Sequence, residues 1–347
     1  MSPTLESLLG HNLPNDLGTE LTAPINLDTT DQPSTLSFIE QDAAAAFAAA
    51  QPVAPVQAAP GAPYSAMYVF GDSLSDTGNV SLATLGIVPV SPPYADHSFS
   101  NGPVWAQDVA QSIGLPALQP SLAGGTDFAY GGAETGQTLV HTLNPTDLTA
   151  QYAQFLAQAP SPQPGALYAM WIGSNDVLDI ANDSSLTSVQ QQQAVSDAVN
   201  NEVAVLGGLA THGAQNFLVL DVPDLGKTPY ETERGPAVAQ AASSLASLYD
   251  TDLAAALQPL EASGALKIDL VDTYSVLDQV IATPSAYGFT NVTTPIWSGN
   301  LTNASSGSLQ ATGSAQSQYL YFDSLHPSAQ AYAVLAAAIT QGLTATA

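Results

Sequence analysis

Two stretches at opposite ends of the chain carry side chains that could perform chemistry together. The first, Phe70-Gly71-Asp72-Ser73-Leu74-Ser75-Asp76-Thr77-Gly78-Asn79, closes a short apolar run. A small residue and a serine just beyond a buried strand are what a nucleophile on a tight turn requires, because its hydroxyl must emerge where backbone N–H groups also point. A helix N-cap would use the same residue types. The second stretch, Tyr321-Phe322-Asp323-Ser324-Leu325-His326-Pro327, precedes an Ala-rich helical segment. Pro327 suits a first helical turn and leaves Asp323 and His326 on the loop before it, where a three-residue offset lets the carboxylate hold the imidazole. Such a pair fixes the tautomer and stabilises imidazolium during attack by a serine; an Asp N-cap beside an incidental histidine is the plainer alternative. His11, His97, His141 and His212 lack an acidic neighbour of this kind and read as ordinary surface or loop histidines.

Acyl transfer also needs donors for a developing oxyanion. Asp127-Phe128-Ala129-Tyr130-Gly131-Gly132-Ala133 runs from an apolar segment into a glycine turn, where a backbone N–H can approach a reacting carbonyl unobstructed. Trp171-Ile172-Gly173-Ser174-Asn175-Asp176 leaves another apolar run and offers an amide N–H₂. Each reads alone as a plain turn; their order along the chain gives the combination its weight.

The elements that must position these residues are read from periodicity. Short apolar runs at residues 66–70, 127–130, 167–172, 217–221 and 266–271 alternate with segments of helical period near 102–113, 148–158, 188–211, 238–260 and 329–343. This alternation predicts five parallel strands joined by right-handed crossover helices, an open α/β sandwich whose functional loops leave the carboxyl ends of the strands. A Gly/Ser/Thr/Asn-rich stretch from 284 to 318 is too long for an ordinary connection and is expected to be functional or mobile. It holds Asn-x-Ser/Thr triplets at Asn291, Asn300 and Asn303, which are glycan acceptors only in a host that glycosylates.

In order, Gly71-Asp72-Ser73-Leu74, Gly131-Gly132, Gly173-Ser174-Asn175-Asp176 and Asp323-Ser324-Leu325-His326-Pro327 resemble the four functional blocks of the SGNH or GDSL serine esterases and lipases. Pro92-Pro93-Tyr94, the run from Phe99 to Trp105 and the run from Tyr287 to Pro295 look like further segments of the plant-type and bacterial extracellular lipase-like branch. The resemblance spans about residues 64–345. It implies a three-layer α/β/α sandwich around a mostly parallel five-stranded sheet, flavodoxin-like in order. It also implies a carboxylic-ester hydrolase working through an acyl-serine, with no metal and no organic cofactor. Carried over by position, Ser73 is the nucleophile, His326 its general base and Asp323 the residue orienting the imidazole. The oxyanion hole is formed by the Ser73 and Gly132 backbone N–H groups and the Asn175 side chain, Gly131 aligning less well than Gly132. Asp72 and Asp176 are expected to brace their loops. Relatives often carry a cysteine just after the position of Pro295, where this chain has Ile296, so a disulfide staple is not available to that loop.

Composition bounds the partners. The 347 residues include 3 Lys+Arg against 30 Asp+Glu, a formal charge of −27, and no cysteine. Nucleic acid and anionic membrane surfaces are thereby excluded as charge-driven partners, as are thiolate metal sites and a cysteine nucleophile. Neutral or zwitterionic esters are favoured as substrates, either lipid-like or small acyl esters. Val80, Leu82, Leu85, Ile87 and Val88 suit an acyl groove and suit packing equally well. With so few cations, most carboxylates go unpaired and repel one another, so stability is expected to rise as pH falls toward the pI of about 4.1. Activity is expected to fall first, because the base must be neutral. Residues 1–62 read as a polar Pro/Ala-rich leader or linker before a domain at 63–347; no conventional secretory signal or transmembrane segment is visible. Extracellular or cell-surface placement is nonetheless the expectation. A phospholipase or acyltransferase, or a polysaccharide deacetylase, would use the same triad, and a catalytically silent extracellular binding module is the alternative of another class.

Overall fold

A computed structural model of the chain describes residues 58–95, 97–159 and 162–345. Most of the expected leader lies outside these residues. Those of it that are described lie against the domain, with Ala58 and Ala62 packed on its core and the Ala59 N–H donating to Gly114 O at 2.9 Å.

The strands β1 (Met67–Gly71), β2 (Leu167–Trp171), β3 (Asn216–Leu220) and β4 (Lys267–Val271) form a parallel sheet in the order β1-β2-β3-β4. β1 and β2 are buried at every position, as near-continuous apolar runs require when helices cover both faces. Alternate side chains sort the core into two layers. Tyr68, Phe70, Tyr168, Met170, Phe217 and Val219 face α3 (Leu148–Gln158), α5 (Ser188–Thr211) and α7 (Pro236–Ala262). Met67, Val69, Leu167, Ala169, Leu218 and Leu220 face α2 (Trp105–Ser112) and α9 (Ala329–Ala345). The remaining helices among the described residues are α1 (Asn79–Ala83), α4 (Ser174–Asn182), α6 (Pro229–Glu233) and α8 (Thr273–Ala282).

The sheet has four strands where five were expected. Residues 127–130 do run beside β1: the Val69 N–H donates to Thr126 O, the Phe128 N–H to Val69 O and the Tyr130 N–H to Gly71 O. Only one parallel bridge results, Val69 with Asp127. The next rung is intercepted by Gln151 of α3, whose Oε1 accepts the Gly71 N–H at 2.9 Å and whose Nε2 donates to Gly71 O at 2.7 Å. A buried side-chain amide thus takes the place of a backbone partner, and the fifth strand is an extended segment at the edge. Among the described residues, no helix is long and apolar enough to cross a membrane.

Burial is the larger cause of the acidic pKa values, ahead of the mutual repulsion inferred from composition. It pushes the carboxyls of Asp72 to about 7, Asp76 to about 6, and Glu202 and Asp250 to about 8. These groups bind more protons folded than unfolded between about pH 4 and 8, so their contribution grows as pH falls through that window. Each such proton is worth about 1.4 kcal/mol per pH unit. Asp323 is shifted the other way, but its contribution is lost only below the ordinary carboxylate range. Melting temperature should therefore rise from pH 8 to pH 5, and a steady fall over that interval would contradict this account.

Candidate active site

Gly71 ends β1 at φ +153° with no space for a side chain: a Cβ there would lie 2.2 Å from Trp171 O of the neighbouring strand. The chain turns at once. Asp72 O accepts the N–H groups of Ser75 and Asp76, and Asp72 Oδ1 accepts the Leu74 N–H at 2.9 Å. Ser73 stands half-buried at the head of this turn. Behind it, Asp76 Oδ1 accepts from the Gly78 and Asn79 N–H groups, and Oδ2 from Val80 and Gly131. Asp76 thus ties the serine turn to the glycine turn.

The loop before α9 is folded back by the Phe322 N–H donating to His326 O at 2.8 Å and the Ser328 N–H to Leu320 O at 2.8 Å. Asp323 Oδ1 accepts the Leu325 and His326 N–H groups at 2.9 and 2.8 Å, and both carboxylate oxygens face His326 Nδ1, Oδ1 at 2.9 Å and Oδ2 at 2.8 Å. The other ring nitrogen, Nε2, lies 2.8 Å from Ser73 Oγ. A carboxylate on Nδ1 puts the proton there and leaves Nε2 free to accept the serine proton. Hydroxyl, imidazole and carboxylate are therefore in continuous contact. Burial would raise the Asp323 pKa, but the adjacent His326 charge and the hydrogen bonds from His326, Tyr94 and the backbone outweigh it and hold the carboxyl below its ordinary range.

Tyr94 was not assigned a role by its sequence. Its hydroxyl donates to Asp323 Oδ2 at 2.7 Å, and its buried ring packs edge-on against Phe322 at 4.9 Å. The position in Pro92-Pro93-Tyr94 was visible, but a contact across 229 residues leaves no local pattern. Ile296, at the place of the missing cysteine, is fully buried with Tyr94, Trp297 and Phe322. The Ile296 and Trp297 N–H groups donate to Tyr321 O and Phe322 O at 3.1 and 2.6 Å, so packing and backbone pairing pin this part of the long loop where a disulfide would have. Asn291, Asn300 and Asn303 each accept backbone N–H groups two or three residues ahead, as Asx turns do.

Gly132 adopts φ +82°, a conformation that favours glycine. The Gly131 N–H is consumed by Asp76, whereas among the described residues neither the Gly132 N–H nor the Ser73 N–H has an acceptor. Asn175, in the first turn of α4, donates one Nδ2 hydrogen to Ala133 O at 2.8 Å, leaving the second for another acceptor. Ser73, Asn175 and His326 share the wall of one cavity. Gly132 does not line that cavity and is joined to it through the Ala133–Asn175 bond and through Phe99, which lies against Gly131 and 5.4 Å from the His326 ring. Asp176 receives Thr135 N and Oγ1 at 3.0 and 2.7 Å, bracing its loop against the glycine turn. Among the described residues, no group of three or more histidine and acidic side chains is arranged to hold a metal ion.

The cavity beside Ser73 is walled mainly by apolar side chains, among them Leu178, Leu225, Val276, Leu277, Val280 and Phe289. The segment with Val80 and Val88 takes no part: both are fully buried in the core, and Leu82, Leu85 and Ile87 face solvent. The groove is built largely from loops and helices farther along the chain.

A model of the family described as GDSL-like lipase/acylhydrolase matches residues 67–339. Phosphatidylcholine-sterol acyltransferase of Aeromonas hydrophila is 30% identical over 71% of this chain and 69% of its own length. The acetylesterase of Thermothelomyces thermophilus is 29% identical over 65% and 76%. Among solved structures, an acetylxylan esterase from Geobacillus stearothermophilus, crystallised as a catalytic mutant, aligns with a TM-score of 0.42 at 13% identity over 79% of this chain and 92% of its own. With the parallel α/β sandwich and the serine-bearing turn already in view, the chain belongs to the GDSL-like lipase/acylhydrolase family and is a serine carboxylic-ester hydrolase.

Proposed function

We propose that Ser73, His326 and Asp323 are the catalytic triad, and that the protein hydrolyses esters of medium-length to long aliphatic acids. His326 Nε2 takes the Ser73 proton as Oγ attacks the ester carbonyl. The tetrahedral oxyanion is met by the Ser73 and Gly132 N–H groups and the free Asn175 Nδ2 hydrogen. His326 then returns the proton to the leaving alcohol, and water releases the acyl group by the same steps in reverse roles. The observation that carries the substrate class is the apolar cavity that opens at Ser73 and His326. Each methylene buried there is worth about 0.8 kcal/mol, or about fourfold in kcat/KM when the transition state gains it.

Rates on p-nitrophenyl esters from acetate to dodecanoate test this directly. The value of kcat/KM should climb by at least about tenfold from acetate to octanoate. A profile highest at acetate would discard the lipid-like reading in favour of acetyl esters, the chemistry named for the Thermothelomyces relative. A second reading, acyl transfer to an alcohol, is supported by the likeness to the Aeromonas acyltransferase. Phosphatidylcholine vesicles containing cholesterol separate the two: free fatty acid marks hydrolysis and cholesteryl ester marks transfer.

A further inference from the structure

His141, which its sequence surroundings left as an ordinary loop histidine, sits between two buried carboxylates. Its Nδ1 lies 2.8 Å from Glu134 Oε1 and its Nε2 2.9 Å from Asp147 Oδ2. Glu134 begins and Asp147 ends the excursion that follows the glycine turn, and the two ends are zipped further. The Glu134 N–H donates to Asp147 Oδ1 at 3.2 Å and the Leu148 N–H to Glu134 O at 2.9 Å. On the opposite side the same short segment grips α4: Ala133 O holds Asn175 Nδ2, and Thr135 holds Asp176. Residues 133–135 are thus fixed from behind by His141 and α3, and from the front they set the Asn175 amide.

We propose that His141 is a positioning residue for ester hydrolysis, a clamp between Glu134 and Asp147 that fixes the turn whose Ala133 carbonyl orients Asn175. This rests on the reading of Gly132 and Asn175 as oxyanion donors. The charges facing the ring are Glu134, Asp147 and, on α4, Asp176 and Asp179, with Asn144 beside Nε2. Burial alone would lower the imidazole pKa, but the hydrogen bonds to Asp147 and Glu134 and their charges push it up to about 10, while burial pushes the Glu134 carboxyl up to about 8, so near neutral pH the ring keeps a hydrogen on each nitrogen for the two acids. Without the ring's two donors the buried Glu134 and Asp147 carboxyls lose their shared partner across the base of the turn. The turn then opens, and the Ala133 carbonyl no longer fixes the Asn175 amide. An oxyanion donor displaced by a fraction of an ångström forfeits much of its effect on the transition state while ground-state binding in the apolar cavity is untouched.

The test is a double-mutant cycle on the full chain with p-nitrophenyl octanoate, comparing wild type, H141Q, N175A and the double variant. The glutamine amide of H141Q keeps a donor for one carboxylate but neither the charge nor the second arm. H141Q should lower kcat about tenfold with KM changed less than about twofold, and N175A should lower kcat by about 10²–10³. The double variant should be within about threefold of N175A alone, because both act through the same donor. Wild-type turnover in N175A would overturn the oxyanion reading itself. Impaired N175A with normal H141Q, or losses that multiply in the double variant, would overturn the clamp and leave the oxyanion reading standing. Should H141Q not fold, E134Q, which keeps an acceptor for Nδ1–H and removes one charge, enters the same cycle under the same criteria.

Discussion

Replacing Ser73 by alanine should lower turnover by about 10⁶ while leaving the fold intact. The two effects separate because the Ser73 side chain has one hydrogen-bond partner among the described residues, His326 Nε2, and is half-buried at a turn held by the backbone and by Asp72 and Asp76. Alanine removes the attacking oxygen and none of those supports. His326 is still fixed by Asp323, so the imidazole does not move. What remains is the rate given by the oxyanion donors and by binding alone, with water as nucleophile. The measurement is steady-state kcat beside a melting curve. An S73A variant keeping more than about 1% of wild-type turnover would exclude an acyl-serine on Ser73. Organophosphonate labelling gives an independent reading: wild type should gain one phosphonyl mass on the peptide containing Ser73, and S73A none.

The pairing of Asp323 with His326 on one loop, the parallel α/β architecture and several helices were legible from local pattern. Residues 148–158 and 188–211 were expected as helices and form them, because apolar periodicity over several turns is a strong local signal. Helices α1, α4, α6 and α8 were not anticipated. α1 and α6 have five residues each, too few to display a period, and α4 and α8 begin inside stretches read as loop or left unassigned. The fifth strand was legible as an apolar run, but whether it completed a ladder depended on Gln151, a polar residue on a distant helix. Tyr94 and His141 escaped for a related reason. Their contacts are with groups that are neighbours only after folding, and an isolated tyrosine or histidine looks the same in sequence whether or not a buried carboxylate awaits it. Asp323 and His326 could be paired in advance because both lie on one short loop, where offset alone brings them together.

Asp323→Asn should lower kcat by about 10⁴, close behind removal of the nucleophile, although it deletes only one charge. The reason lies in how the carboxylate is held. Oδ1 accepts two backbone N–H groups, from Leu325 and His326, and an amide nitrogen cannot occupy that position without facing two donors. Asparagine therefore keeps its oxygen there and turns its N–H₂ toward Tyr94 and His326 Nδ1. The nearer of the two atoms meeting Nδ1 then becomes a donor, which favours the ring proton on Nε2, and in that tautomer the atom facing Ser73 no longer takes a proton. Tyr94→Phe makes the useful contrast. It removes one donor to Oδ2 but keeps the carboxylate, the tautomer and the edge-on ring contact with Phe322, so its cost should be about tenfold or less in kcat. Both variants are read by kcat at pH 8 with melting temperature as control. If D323N kept more than about 10% of wild-type kcat, or if Y94F fell as far as D323N, proton placement on Nδ1 would not be what Asp323 supplies, and the site would depend instead on the rigidity of the Asp323–Tyr94 contact.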